Sequence, residues 1–180
     1  ILNIMESATG QNLTGKTGIS GGGQSVIVTL NGKTYTATVD NQGNWSTALP
    51  ATDLQSLLTG VQTIRVEATD SAGNSIENTR DITVDMVRPL LTLKPLTSDG
   101  IINAAESLND QLISGNALQA DAGRSVIVTI NNKNYQAQIQ ADGSWSTPIP
   151  AADLQALADG SYTVTATLTG ASGNSTTSTG

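Results

Sequence analysis

At 180 residues, with no Cys, no His, no Phe and a formal charge of −7, the sequence rules out several kinds of function before any motif is read. Without Cys there is no disulfide and no thiol chemistry, and without His the commonest general base and transition-metal ligand are gone. The negative charge argues against nucleic acid, whose phosphates need a basic face.

In chain order, residues 12–19 predict a strand interrupted by glycine. Residues 25–30 and 34–39 predict a hairpin around Asn31-Gly32, the best turn signal in the chain. Asn41-Gln42-Gly43 turns the chain into a strand over 44–49. Residues 50–57 read as one helical turn with Pro50 at its start, ended by Gly60. Asp53 and its counterpart Asp153 are read as complements to the helix dipole. In 61–68, Ile64, Val66 and Ala68 alternate with Arg65 and Glu67, the pattern of a strand with one wet face. A last strand follows over 75–84, and Pro89 stops it. A new strand begins at 91–94, and residues 162–168 alternate in the same way as 61–68.

Adding 100 to a residue number finds its twin without a gap. Ser25-Val26-Ile27-Val28-Thr29 recurs at 125–129, Trp45-Ser46-Thr47 at 145–147, Asp53-Leu54-Gln55 at 153–155 and Gly73-Asn74-Ser75 at 173–175. Roughly two positions in five are identical, and a period this long means an array of domains. The expected fold is all-β: two tandem immunoglobulin-like β-sandwich domains, 1–87 and 88–180, joined end to end by a short linker. The first copy lacks the strand that 91–94 would supply to the second, and the second stops before the equivalent of 81–84. The chain therefore reads as a piece of a longer array, with unpaired sheet edges at its ends.

The residues Val26 through Tyr35, Gly43-Asn44-Trp45-Ser46, Ala68 through Asn74, Asp81 through Asp85 and Asp99 through Glu106 together resemble the bacterial immunoglobulin-like repeats of giant adhesins secreted by type I systems, the biofilm-associated proteins among them. The resemblance covers nearly the whole chain. It implies a secreted, cell-surface stalk of tandem domains with Ca2+ at the junctions, serving adhesion or biofilm formation. Its partners would be neighbouring repeats of the same chain, with a host-cell or matrix receptor met through other domains. The chain's ligands are limited to carboxylates, amides, hydroxyls and carbonyls, which suit a hard cation such as Ca2+. The second copy departs from the pattern at Gly170, where the first has Asp70, which puts a ligand there in doubt.

The candidate ligands are Asn3, Glu6, Asp70, Asp85, Asp99, Asn103, Glu106 and Asp121. Loops of a seven-strand sandwich alternate between two poles. On that logic Asn3, Glu6 and Asp85 share one pole, and the loop at Asp121 faces them from the next copy. Asp70 then faces upstream, and Asp99, Asn103 and Glu106 face downstream. A second pole assignment puts Asp99 and Glu106 beside Asp85 instead. A plainer reading of Asn103 to Glu106 is a capped helical turn.

A ligand-binding module for glycans, using loops or exposed Trp45 and Trp145, is the alternative function. Core or half-buried packing is the expected place for both rings and for Tyr35 and Tyr135. No enzyme activity is expected: a paired-carboxylate hydrolase is the only chemistry the composition permits, and no cleft is implied. No stretch approaches transmembrane length, and no membrane insertion is expected.

Overall fold

The computed structural model describes residues 1–18 and 24–180. Two compact units, Ile1–Val87 and Arg88–Gly180, divide the chain, and each is an immunoglobulin-like β-sandwich. Residue 19, placed by the sequence in the first strand, lies outside the described residues.

The first unit runs β1 (Leu2–Asn3), α1 (Ile4–Ala8), β2 (Gln11–Lys16), β3 (Ser25–Leu30), β4 (Lys33–Thr38), β5 (Asn44–Leu49), α2 (Ala51–Leu54), β6 (Gly60–Thr69) and β7 (Ser75–Asp85). One sheet has the order β1-β7-β6-β3-β4, with β1 parallel to β7. The other pairs β2 with β5. Alternation decides what lies between them. Val26, Val28 and Leu30 of β3 point inward, while Ile27 remains partly exposed. Trp45 and Leu49 of β5, with Ile64, Leu54 and Val84, complete this core.

The second unit repeats the plan with β8 (Leu91–Leu93), β9 (Gln111–Ala117), β10 (Ser125–Ile130), β11 (Lys133–Gln138), β12 (Ser144–Ile149), α3 (Ala151–Gln155), β13 (Thr165–Thr169) and β14 (Ser175–Thr179). Its sheets are β11-β10-β13-β14 and β12-β9-β8. Val126, Val128, Ile130, Trp145, Ile149, Leu154 and Leu168 fill the core.

Local chemistry sets the connections. Asn31 and Gly32 turn the first hairpin at φ 49° and 73°, and Asn131 and Asn132 do so at 45° and 60°. Positive φ at both central residues defines the two-residue turn whose twist matches antiparallel strands. Pro50 and Pro150 cap α2 and α3 in extended conformation. The strand expected over 162–168 begins only at Thr165. Just before it, Val164 and Gly180 exchange two 3.0 Å hydrogen bonds.

Leu54 carries α2 into the core with 1% of its surface exposed. Leu54→Ala is expected to destabilise the first unit by about 2–5 kcal/mol through the lost burial and the cavity left behind. Denaturant titration followed by Trp45 fluorescence measures this.

Candidate metal-binding loops

Three of the candidate ligands gather at one end of the first unit. Asn3 and Asp85 are register partners across β1 and β7. Asn3 also caps α1: its Oδ1 accepts from the Glu6 amide at 2.9 Å, and Glu6 Oε2 accepts from the Asn3 amide at 3.0 Å. This reciprocal box satisfies two amides that the first helical turn leaves without partners. Ser7 Oγ lies 3.8 Å from Met86 Sδ, which keeps α1 against the end of β7. Asp85 Oδ1 accepts from the Val87 amide at 2.9 Å and so fixes the start of the exit segment.

The second unit builds the same box from Asn103 and Glu106, with both bonds at 3.0 Å. In each unit the glutamine five residues after the Glu donates to that Glu's carbonyl: Gln11 at 2.9 Å and Gln111 at 2.8 Å. The capped-turn reading of Asn103 to Glu106 therefore describes the local geometry of both copies. One oxygen of each of these four side chains is engaged with the backbone.

Asp99 closes a turn of its own. Its Oδ1 accepts from the Ile101 amide at 3.0 Å and from the hydroxyl of Thr97 at 3.1 Å. Those bonds, the backbone one first, hold its carboxyl below the usual carboxylate range.

Asp70 is committed in the same way. Its Oδ1 accepts from the amides of Ala72 and Asn74, and its Oδ2 from the Asn74 side chain at 2.9 Å. The Asn74 side chain leads the causes that lower its pKa. In the second unit Gly170 replaces the aspartate, yet the Gly170 amide still donates to the Asn174 carbonyl at 2.9 Å. Backbone bonds and Gly173 in the left-handed region carry the turn without a carboxylate. Asp70→Gly should therefore leave the first unit folded, and thermal melting that shows loss of the fold would contradict this.

Asp121 sits in the loop after β9 with 8% of its surface exposed. Its Oδ1 is 3.6 Å from Arg124 Nε. Its counterpart, position 21, lies outside the described residues.

Strand lengths decide which candidates can share an ion within one unit. Asp70 lies beyond the Ser75 end of β7 and Asp85 at the other end of that 11-residue strand. At ~3.3 Å per residue this is about 35 Å. In the second unit Glu106 lies by the start of β9 and Asp121 beyond its end, separated by a 7-residue strand. Among the described residues no three Asp or Glu side chains group closely enough to hold a metal ion by themselves.

One repeated constellation escaped the sequence reading. Asp53 Oδ1 accepts from Lys33 Nζ at 2.5 Å and its Oδ2 from the Tyr35 hydroxyl at 2.8 Å. Asp153 does the same with Lys133 and Tyr135, at 2.5 and 2.7 Å. The carboxylate ties the short helix to the neighbouring hairpin, a role larger than the dipole complement expected for it. The signal was present, since all three residues recur at the shared period.

Burial first, then the aspartate bond, pushes Tyr35 and Tyr135 up to about 12 from 10.0. Their contribution to stability is present below pH 10 and is lost as pH rises through about 12. The aspartates are lowered, by the Lys bond foremost, so their contribution is present above the ordinary carboxylate range and lost as pH falls through the depressed value. Phenolate absorbance should show both tyrosines ionising late in the native chain, and Asp53→Asn should bring Tyr35 back toward its ordinary range.

Both Trp rings are buried, Trp45 at 8% and Trp145 at 1% exposure, so neither offers a face for a sugar to stack on. No described helix is long and apolar enough to cross a membrane.

The bacterial Ig-like domain family matches residues 9–86 and 97–180, and the chain belongs to it. Its fold is similar to that of a Ca2+-stabilized adhesin that helps an Antarctic bacterium reach out and bind ice, with 31% identity and a TM-score of 0.61, over 99% of this chain and 44% of that one. It is also similar to part of a 1.5-MDa bacterial ice-binding adhesin studied for its retention at the host cell surface, with 28% identity and a TM-score of 0.54, over 99% of this chain and 58% of that one. The chain thus spans about half the length of these relatives. No curated protein sequence matches it.

Proposed function

We propose that the chain is a length of stalk from a large, secreted bacterial surface adhesin, stiffened by Ca2+ at the boundaries between repeats. In this reading the stalk holds a distal binding domain away from the cell, for adhesion or biofilm formation. The segment itself contacts neighbouring repeats of its own chain, and any host-cell or matrix receptor is met elsewhere. It performs no catalysis. The observation that carries the reading is the match of two consecutive bacterial Ig-like domains, supported by likeness to an adhesin described as Ca2+-stabilized.

The residues fit the ion by chemistry. Asn3, Glu6 and Asp85 bring two carboxylates and an amide to one end of the first unit. Ca2+ takes 6–8 oxygens, so this set calls for carbonyls, water and further side chains. We assign Asp121 as one of these, which requires its contact with Arg124 to open. Asp99, Asn103 and Glu106 are assigned to the boundary downstream, and Asp70 to the one upstream. Asp70 is the weakest of the eight, because its carboxylate already closes its own turn. Bound Ca2+ would neutralise anions that otherwise repel and fix the linker between repeats. Extracellular modules often bind Ca2+ with Kd of about 10⁻⁴–10⁻³ M, so stiffening would follow export.

Small-angle scattering with calcium, then with chelator, tests this. The expected result is a longer, stiffer particle with calcium and a higher melting temperature. Asp85→Ala should abolish the difference while each sandwich stays folded. Superimposable profiles and no thermal shift would defeat the calcium reading and leave the family membership untouched.

A further inference from the structure

The tips of two corresponding hairpins differ by one residue. In the first unit the ladder of β3 and β4 ends at the pair Leu30 and Lys33, which leaves Asn31 and Gly32 outside it. In the second, β10 and β11 end at Ile130 and Lys133, around Asn131 and Asn132. All four tip residues are exposed, and all four hold positive φ. Asn31 is the one asparagine of the sequence that a glycine follows.

That order of residues sets two reactive groups side by side. The backbone nitrogen of Gly32 and the side-chain carbon Cγ of Asn31 close a five-membered ring when they meet. Glycine has no Cβ to shield its nitrogen, and a Cβ built at Gly32 would meet no atom within 4 Å, so the turn is open there. Neither residue belongs to the ladder, so the rotation that brings nitrogen to carbon is a local opening that breaks no strand pair. Asn132 carries a side chain beside its nitrogen, which hinders the same approach at Asn131. Two other asparagines precede a serine, Asn74 and Asn174. The Asn74 carboxamide donates to Asp70 at 2.9 Å, and Asn174 is buried at 1% exposure.

We propose that Asn31 is a site of spontaneous deamidation that reshapes the β3–β4 hairpin, a modification that the second unit resists. The step needs only water. The Gly32 nitrogen gives up its proton and bonds to Cγ, the bond from Cγ to Nδ2 breaks, and Nδ2 leaves as ammonia with that proton. A succinimide remains. Water then opens one of its two imide bonds. Opening at Cγ gives aspartate. Opening at the Asn31 backbone carbonyl gives isoaspartate, whose main chain runs through Cγ. No electrons are transferred, and the sum is amide plus water giving acid plus ammonia, the lability that marks asparagine in hot environments. Both products exchange a neutral amide for a carboxylate. Isoaspartate also adds a carbon to the main chain, so a turn built on two residues with positive φ no longer fits. The pairing of Leu30 with Lys33 then has to shift, and Lys33 Nζ is the group that meets Asp53 at 2.5 Å in the tie to α2.

To test this, the full chain is held folded at neutral and at mildly alkaline pH, then digested at acid pH and mapped by mass spectrometry. Electron-transfer fragmentation tells isoaspartate from aspartate. The expected result is acid forming at Asn31 several-fold faster than at Asn131, Asn74 or Asn174. It should form faster at the higher pH, since the attacking nitrogen must lose its proton. Gly32→Asn, which copies the turn of the second unit, should slow Asn31 several-fold, and Asn132→Gly should bring Asn131 up to match. Amide hydrogen exchange at Leu30 and Lys33 should quicken in the isoaspartate fraction. Asn31 lasting as long as Asn131 would overturn the proposal. So would a rate unmoved by Gly32→Asn, or conversion seen only in the denatured chain.

Discussion

Replacing Trp145 with alanine is expected to unfold the second unit at ambient temperature or bring it close to unfolding, while the first unit remains native. Trp145 is the largest of the fully buried side chains, at 1% exposure. Removing a buried aromatic of this size costs about 3–5 kcal/mol. A sandwich of this length has only about 5–14 kcal/mol in hand, since stability runs near 0.05–0.15 kcal/mol per residue. With no disulfide to hold the remainder, the loss takes a large share of the margin. Trp45→Ala should cost the first unit less, because that ring is already 8% exposed. The indole Nε1 of Trp145 has no hydrogen-bond partner among the described residues. A buried unpaired donor is itself costly, so Trp145→Phe, which removes it, should be far milder than alanine. A calorimetric scan resolves the outcome. Equal losses for Trp45→Ala and Trp145→Ala would show that the two rings do equal work.

Much of this fold could be read from residues. Alternation in 25–30 marked Val26, Val28 and Leu30 as inward, and they are buried. Asn31-Gly32 predicted its hairpin because few residues tolerate two successive positive φ angles. The strand over 162–168 was misjudged at its start because alternation reports which face is wet, and a strand also needs a neighbour to pair with.

The loops were harder. Asn3, Glu6 and Asp85 were assigned to one pole by counting strands, and they do lie together within the first unit. What the sequence did not reveal is how many of the candidate oxygens the backbone already uses. Asp70 and Asp99 close turns, a role the unpredicted Asp40 plays with the same geometry through the amides of Gln42 and Asn44. An Asp-x-x-Gly-Asn stretch looks the same on paper whether its carboxylate closes a turn or binds a cation. The Lys-Tyr-Asp ties were missed for another reason: Asp53 lies 20 residues from Lys33, and only the fold brings α2 beside the hairpin.

A methyl group added at Gly115 should cost more than the same group added at Gly15, and the difference isolates β8. At Gly15 a Cβ would fall 2.5 Å from the Trp45 ring, and the next nearest atoms also belong to that ring. At Gly115 it would meet the Trp145 ring at the same 2.5 Å and also the Thr92 carbonyl oxygen at 1.9 Å. An indole can yield by a small rotation. A paired strand yields only by losing its hydrogen bonds. Overpacking alone typically costs about 1–3 kcal/mol, which is the expectation for Gly15→Ala. Gly115→Ala adds the displacement of β8, with the Thr92–Asn116 pair and the Lys94–Ser114 bond. Each of these three bonds is worth about 0.5–1.5 kcal/mol net, so the total should exceed the Gly15→Ala cost by about 1.5–4.5 kcal/mol. Exchange at Asn116, whose amide donates to Thr92 Oγ1, should rise with it. If Gly15→Ala proves the more damaging change, β8 is not firmly held on β9.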